Sequence, residues 1–184
     1  MIGLPRFLVR VCFSVLLLGM SGWAALSAID HGDVERIGQS SDAAFRTRMA
    51  GQLPGSASAE WYNAVAERAM RLNPPDADLA SRAYQRSLQN APRNAVAWGY
   101  YAYALQLMGH DTQTVLRALT QSYAVSAIAE LPFRQWRLRY AETLWTTLPD
   151  TLRARVLQEA QLEDLAWLRT ACPQIYAALA EANN

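Results

Sequence analysis

From Ala59 to the C-terminus the apolar residues recur three and four positions apart, and no stretch alternates apolar with polar residues in the two-residue rhythm of a strand. That spacing predicts an all-α fold. Trp61, Val65, Ala69 and Leu72 share one helical face until Asn73-Pro74-Pro75 ends it, because proline has no amide donor and disfavours helical backbone in the residue before it. Asp76 or Asp78 is placed to cap a second helix carrying Ala80, Tyr84, Ser87 and Leu88, which Ala91-Pro92 closes. A third runs from Asn94 through Trp98, Tyr101, Ala102 and Leu105 to Gly109. Four more are expected: Thr112 to about Ile128, closed by Pro132; Phe133 to Leu148, closed by Pro149; Thr151 to Thr170; and a short one opened by Pro173 and running through Ala182. About seven helices joined by short turns stack as antiparallel neighbours.

The other end of the chain points to a membrane. Arg6 and Arg10 precede Val11–Ala28, which carries no charged side chain, and Asp30, Asp33 and Glu35 follow. Val11 to Ile29 is 19 residues, which at the helical rise spans roughly 28 Å, close to a bilayer core. The positive-inside bias keeps Met1 cytoplasmic and exports the rest, which in a bacterium means the periplasm. Two readings remain open: an uncleaved single-pass inner-membrane anchor, or a secretory signal removed near Ala24 or Ser27. The anchor is favoured because the apolar run exceeds an ordinary signal core. Residues 1–29 are thus an anchor or signal segment, 30–58 a polar spacer with one short helix over Asp42–Met49, and 59–184 a periplasmic helical domain.

Composition removes several chemistries. The 17 basic residues are all arginine, so no lysine is present for a Schiff base or a P-loop. Setting aside Arg6 and Arg10 leaves 15 arginines against 16 acidic residues, a balance that does not point to nucleic acid. Cys12 lies in the apolar run and Cys172 near the far end, so the two are not expected to pair, and Cys172 reads as a partly buried structural residue. His31 and His110 have no second ligand at helical spacing, which leaves no metal site to expect. Glu159 and Glu163, four residues apart with Arg155 four before Glu159, read as a solvated, charge-laced helix face. With no strand to precede a phosphate loop and no nucleophile elbow, neither a catalytic residue nor a cofactor is expected.

Residues 80–109 are similar to the tetratricopeptide repeat: Ala80, Tyr84, Ser87 and Pro92 fall where the second helix of a repeat ends one unit, and Trp98, Tyr101, Ala102, Leu105 and Gly109 where the first helix begins the next. The logic is steric, since small residues such as Ser87 and Ala102 let helix backbones approach and large neighbours fill the remaining space. Thr114 and Gln121 depart from the small residues of that pattern. The resemblance implies an array of helical hairpins that acts as an adaptor, with a concave groove facing a protein partner. In its register Tyr103 and Gln106 face that groove, with Tyr62 or Val65 joining from the earlier helix. Arg134 and Arg137, beside Arg139, add positive charge able to hold a carboxylate by forked hydrogen bonds. The function expected is a scaffold, accessory subunit or assembly factor binding a protein of an envelope or membrane complex. The alternatives are a soluble periplasmic protein that binds a small ligand or a hydrolase of cell-wall glycan.

Overall fold

The computed structural model describes residues 32–182, and within them every regular element is helical. The order is α1 (32–39), α2 (Asp42–Met49), α3 (Ala59–Met70), α4 (Ala77–Asn90), α5 (Ala95–Leu107) and α6 (Thr112–Val125). There follow α7 (Leu131–Thr143), a 3₁₀ turn (Trp145–Thr147), α8 (Asp150–Ala160), α9 (Leu165–Ala171) and α10 (Pro173–Ala182). The all-α class is as expected. The apolar run 11–29, with Cys12 and His31, lies outside the described residues, and among the described residues no helix is long and apolar enough to cross a membrane.

Side chains that the sequence supplies start most of these helices. Ser41, Ser58, Asp76, Asn94, Asp111 and Asp164 each accept the amide three residues on, at 2.8–3.3 Å, satisfying one of the orphan donors of a helix N-terminus. The end of α5 is closed by Gly109 at φ +77°, where a side chain is strained. The Gly109 amide donates to Gln106 O and the His110 amide to Leu105 O, the paired bonds of a Schellman turn. The first turn of α10 is capped from another helix, since the Gln174 and Ile175 amides donate to the Glu142 carboxylate on α7 at 2.9 and 3.0 Å.

Three expected boundaries are corrected. Pro132 opens α7 rather than closing α6, because in the first turn a missing amide leaves no bond unmade. The helix expected over Phe133–Leu148 starts at Leu131, ends at Thr143 and passes into the 3₁₀ turn. The single helix expected over Thr151–Thr170 is two, α8 and α9, since Asp164 accepts the Trp167 amide and begins a new N-terminus. Residues 30–58 also do more than span a gap. The stretch holds α1 as well as α2, and Ile37 and Phe45 are buried against the α3–α4 hairpin.

Helices α3 to α6 pack in sequence as consecutive antiparallel hairpins, and α7 to α10 close the C-terminal side. Their cores form two clusters that meet at α5. Between Ala95 and Leu107 the chain has no charged residue, which suits a helix packed on several sides, with Val96, Gln106 and Leu107 left exposed at its ends. Ala97 and Ala104 face the N-terminal cluster and Ala102 and Leu105 the C-terminal one, while Trp98 and Tyr101 touch both.

Candidate binding surfaces

The groove expected along α5 is lined by its own chain. Tyr100 and Tyr103, one helical turn apart, meet Phe133, Trp136 and Tyr140 of α7, which recur three and four residues apart. The Tyr100 ring lies 4.2 Å from Trp136, and Tyr103 sits edge-on to Trp136 and Tyr140 at 6.1 and 5.5 Å. Such offset and edge-on contacts match the ring quadrupole. Gly99 makes the approach possible, because a Cβ there would stand 2.7 Å from Phe133 Cζ. Burial, and next the neighbouring Tyr103, push the Tyr140 phenol above its usual range.

The residues singled out by sequence fall into three environments. Gln106 is exposed and Tyr103 half-buried against α7. Tyr62 and Val65 are buried in the N-terminal core, and the Tyr62 hydroxyl donates to Pro54 O, so neither presents a surface to a partner. Arg134 and Arg137 do hold carboxylates, but those of their own chain. The Arg134 guanidinium pairs with Glu163, to which Gln135 also donates at 3.0 Å.

Arg137 and Glu159 are fully buried and paired. The guanidinium also donates to Ser122 O, Ser122 Oγ and Ser126 O at 3.0–3.3 Å, while Glu159 accepts the Ala129 amide at 2.9 Å. The Tyr123 ring lies 3.8 Å from the guanidinium carbon. The solvated face expected at Glu159 and Glu163 is therefore corrected to an interior ionic clamp joining the end of α6, α7 and α8. Sequence spacing along α8 did not reveal it because both partners lie more than 20 positions away.

Two features face outward. The first is a set of exposed apolar side chains, Val96, Ile128, Leu131, Leu162 and Leu165, each between 38 and 59% accessible. Val96 borders the 126–133 connection across a shallow hollow of about 310 Å³. Leu131 lies one turn before Arg134 and Gln135, which reach Glu163 in the connection that holds Leu162 and ends at Leu165. These residues thus gather around one end of the α6–α7 and α8–α9 connections.

The second is a cleft of about 620 Å³ between α5, α6 and residues 147–149. Trp98, Tyr101 and Leu105 of α5 line it together with the apolar side chains of Leu116, Ala118 and Pro149. Arg117 stands at the edge with Thr114 and Gln121, its Nη2 donating to Thr114 Oγ1 at 2.8 Å. Thr114 in turn donates to Asp111, and this bond, then the Thr114 amide, hold the exposed Asp111 carboxyl below its usual range. Cys172 lies elsewhere, buried in the C-terminal core, where burial and the nearby Glu142 push its thiol up to about 12. Among the described residues no group of three or more histidine, cysteine, aspartate or glutamate side chains is placed to hold a metal ion. No family model matches the chain, and neither a curated protein nor a solved structure matches it.

Proposed function

We propose that this chain is a membrane-anchored periplasmic adaptor: residues 11–29 hold it in a bacterial inner membrane, and its tetratricopeptide-like hairpin array docks a protein of an envelope or membrane complex. The observation that carries the reading is the set of exposed apolar side chains at Val96, Ile128, Leu131, Leu162 and Leu165 beside the α6–α7 and α8–α9 connections, since exposed large apolar residues gathered on a small domain are a usual mark of a contact with another protein. The repeat register is supported by the burial of Ala80, Ser87 and Ala102, the three small positions of the pattern, each without accessible surface. The Gly109 turn at the end of α5 fits it as well. The partner-facing surface in this reading is the α6–α7 and α8–α9 end rather than Tyr62 or Arg137, and Gln106, ten residues along α5 from Val96, lies outside it.

The test is purification of C-terminally tagged chain from its native membranes in mild detergent, with the bait N-terminus sequenced. The expected result is resistance to carbonate extraction, an intact N-terminal segment and a stoichiometric membrane-complex protein. That protein is lost from the double variant Leu131→Asp, Leu165→Asp while the helical content is kept. A bait that begins near Ala25 or Ala28, extracts with carbonate and brings no partner overturns the proposal.

A further inference from the structure

We propose that the cleft between α5, α6 and residues 147–149 is a binding site for a small organic carboxylate with an apolar, aryl-sized body. The site shares no lining residue with the exposed leucine surface. Its volume, about 620 Å³, lies within the range of pockets that enclose small molecules. Trp98, Tyr101 and Leu105 bring two aromatic rings and an alkyl side chain to the lining for an apolar body.

The anionic preference comes from the edge. Arg117 is the one charged side chain of the lining, and no acidic residue lines the cleft. Among the described residues no carboxylate lies within 4 Å of the Arg117 guanidinium; one of its terminal nitrogens bonds Thr114 Oγ1, through which Asp111 is reached, and the rest of the fork makes no other hydrogen bond. A guanidinium that is already oriented by a neighbouring hydroxyl meets a carboxylate with two parallel donors. Gln121 and Thr120 add neutral hydrogen-bonding groups on the same wall.

The chain itself shows why the space is open. Thirty-four positions separate Ala80 from Thr114, Tyr84 from Ala118 and Ser87 from Gln121. On α4 the Tyr84 ring is buried and stacks near Tyr100 at 6.3 Å, filling the junction. On α6 the same place in the spacing is Ala118, whose side chain ends at Cβ, and the cleft lies beside it. An aryl group brought by a ligand takes the position that the tyrosine ring takes in the preceding hairpin.

The experiment is titration calorimetry of the full chain in dodecyl maltoside with 4-phenylbutyrate, against micelles alone and against the neutral 4-phenylbutyramide. The expected result is one saturable site with a dissociation constant below about 1 mM. Binding falls about fivefold or more in Arg117→Gln and disappears in Ala118→Phe, which fills the cleft, while cooperative unfolding is kept. Should Ala118→Phe fold poorly, Gln121→Trp at the mouth is the blocking variant, and loss of binding there is required. Heat no greater than with micelles alone, equal binding in the blocked variant, or equal binding of the amide overturns the proposal.

Discussion

Removing Glu159 tests whether the clamp at Arg137 holds the C-terminal half together. In Glu159→Ala the guanidinium keeps its bonds to Ser122 O, Ser122 Oγ and Ser126 O but loses the carboxylate that, among the described residues, is paired with it, in a place with no accessible surface. The Ala129 amide loses its acceptor at the same time. Breaking a buried pair in this way costs about 3–5 kcal/mol, because the remaining charge is uncompensated and unsolvated. For the ~150 described residues the unfolding entropy is about 0.3 kcal/mol per degree, so the melting temperature falls by roughly 10–16 °C. Thermal and urea unfolding of the full chain in mild detergent, followed by circular dichroism at 222 nm, measures the change.

The double variant Arg137→Met, Glu159→Met removes both charges and leaves a smaller defect, the unpartnered Ser126 carbonyl and Ala129 amide, since the Ser122 carbonyl keeps the Ser126 amide. Its loss of stability is expected to be well below the sum of the two single losses, a coupling of at least about 2 kcal/mol. Singles that each cost less than about 1 kcal/mol, or losses that simply add, refute the reasoning.

Ala102 has no accessible surface where α5 meets the C-terminal core, so Ala102→Leu overpacks that junction and lowers stability by about 1–3 kcal/mol in the same unfolding assay. Ser87 is buried with an Oγ that finds no hydrogen-bond partner among the described residues, so Ser87→Ala is expected to match or exceed the parent by up to about 1 kcal/mol. Gly109→Ala places a side chain at φ +77° and costs about 1 kcal/mol or slightly more in unfolding free energy. The Cys172 thiol, raised from 9.0 to about 12, stays protonated and unreactive to iodoacetamide at pH 8 in folded Cys12→Ser protein and is labelled on unfolding. Because its folded value is the higher one, its contribution is complete below about pH 9 and is lost as pH rises toward 12, so alkaline unfolding curves should show stability falling across that window.

Local chemistry was legible in the sequence and tertiary pairing was not. Helix starts were visible because their capping side chains sit three residues from the amides they satisfy, as at Asp76 and Asn94, and α2 falls on the range its spacing predicts. The apolar face of α3 and the small positions Ser87 and Ala102 were likewise readable, since burial follows the helical period. Glu159 and Glu163 were misread because Arg155, four residues from Glu159, is the obvious partner on one helix, whereas their true partners come from α7. Arg137, expected to hold a carboxylate of a partner, holds one of its own chain for the same reason: the sequence does not show that the turn after α6 and the Tyr123 ring enclose it. Tyr103 was expected to line a groove, and the α7 rings that pack against it were not anticipated. Only Gly99 hinted that another helix comes close there, since a glycine inside a helix costs stability unless space demands it. The cleft beside Ala118 was foreshadowed by the departures Thr114 and Gln121 from the repeat pattern, though its volume depends on residues 147–149 from a distant turn.

The most direct test of the adaptor proposal is photo-crosslinking in living cells from benzoylphenylalanine placed at Leu131, at Leu165 and, as a control on the outer face of α4, at Arg86. The proposal predicts that Leu131 and Leu165, but not Arg86, give a crosslink to the same membrane-complex protein. No crosslink from either leucine position, or the same products from all three, would contradict it.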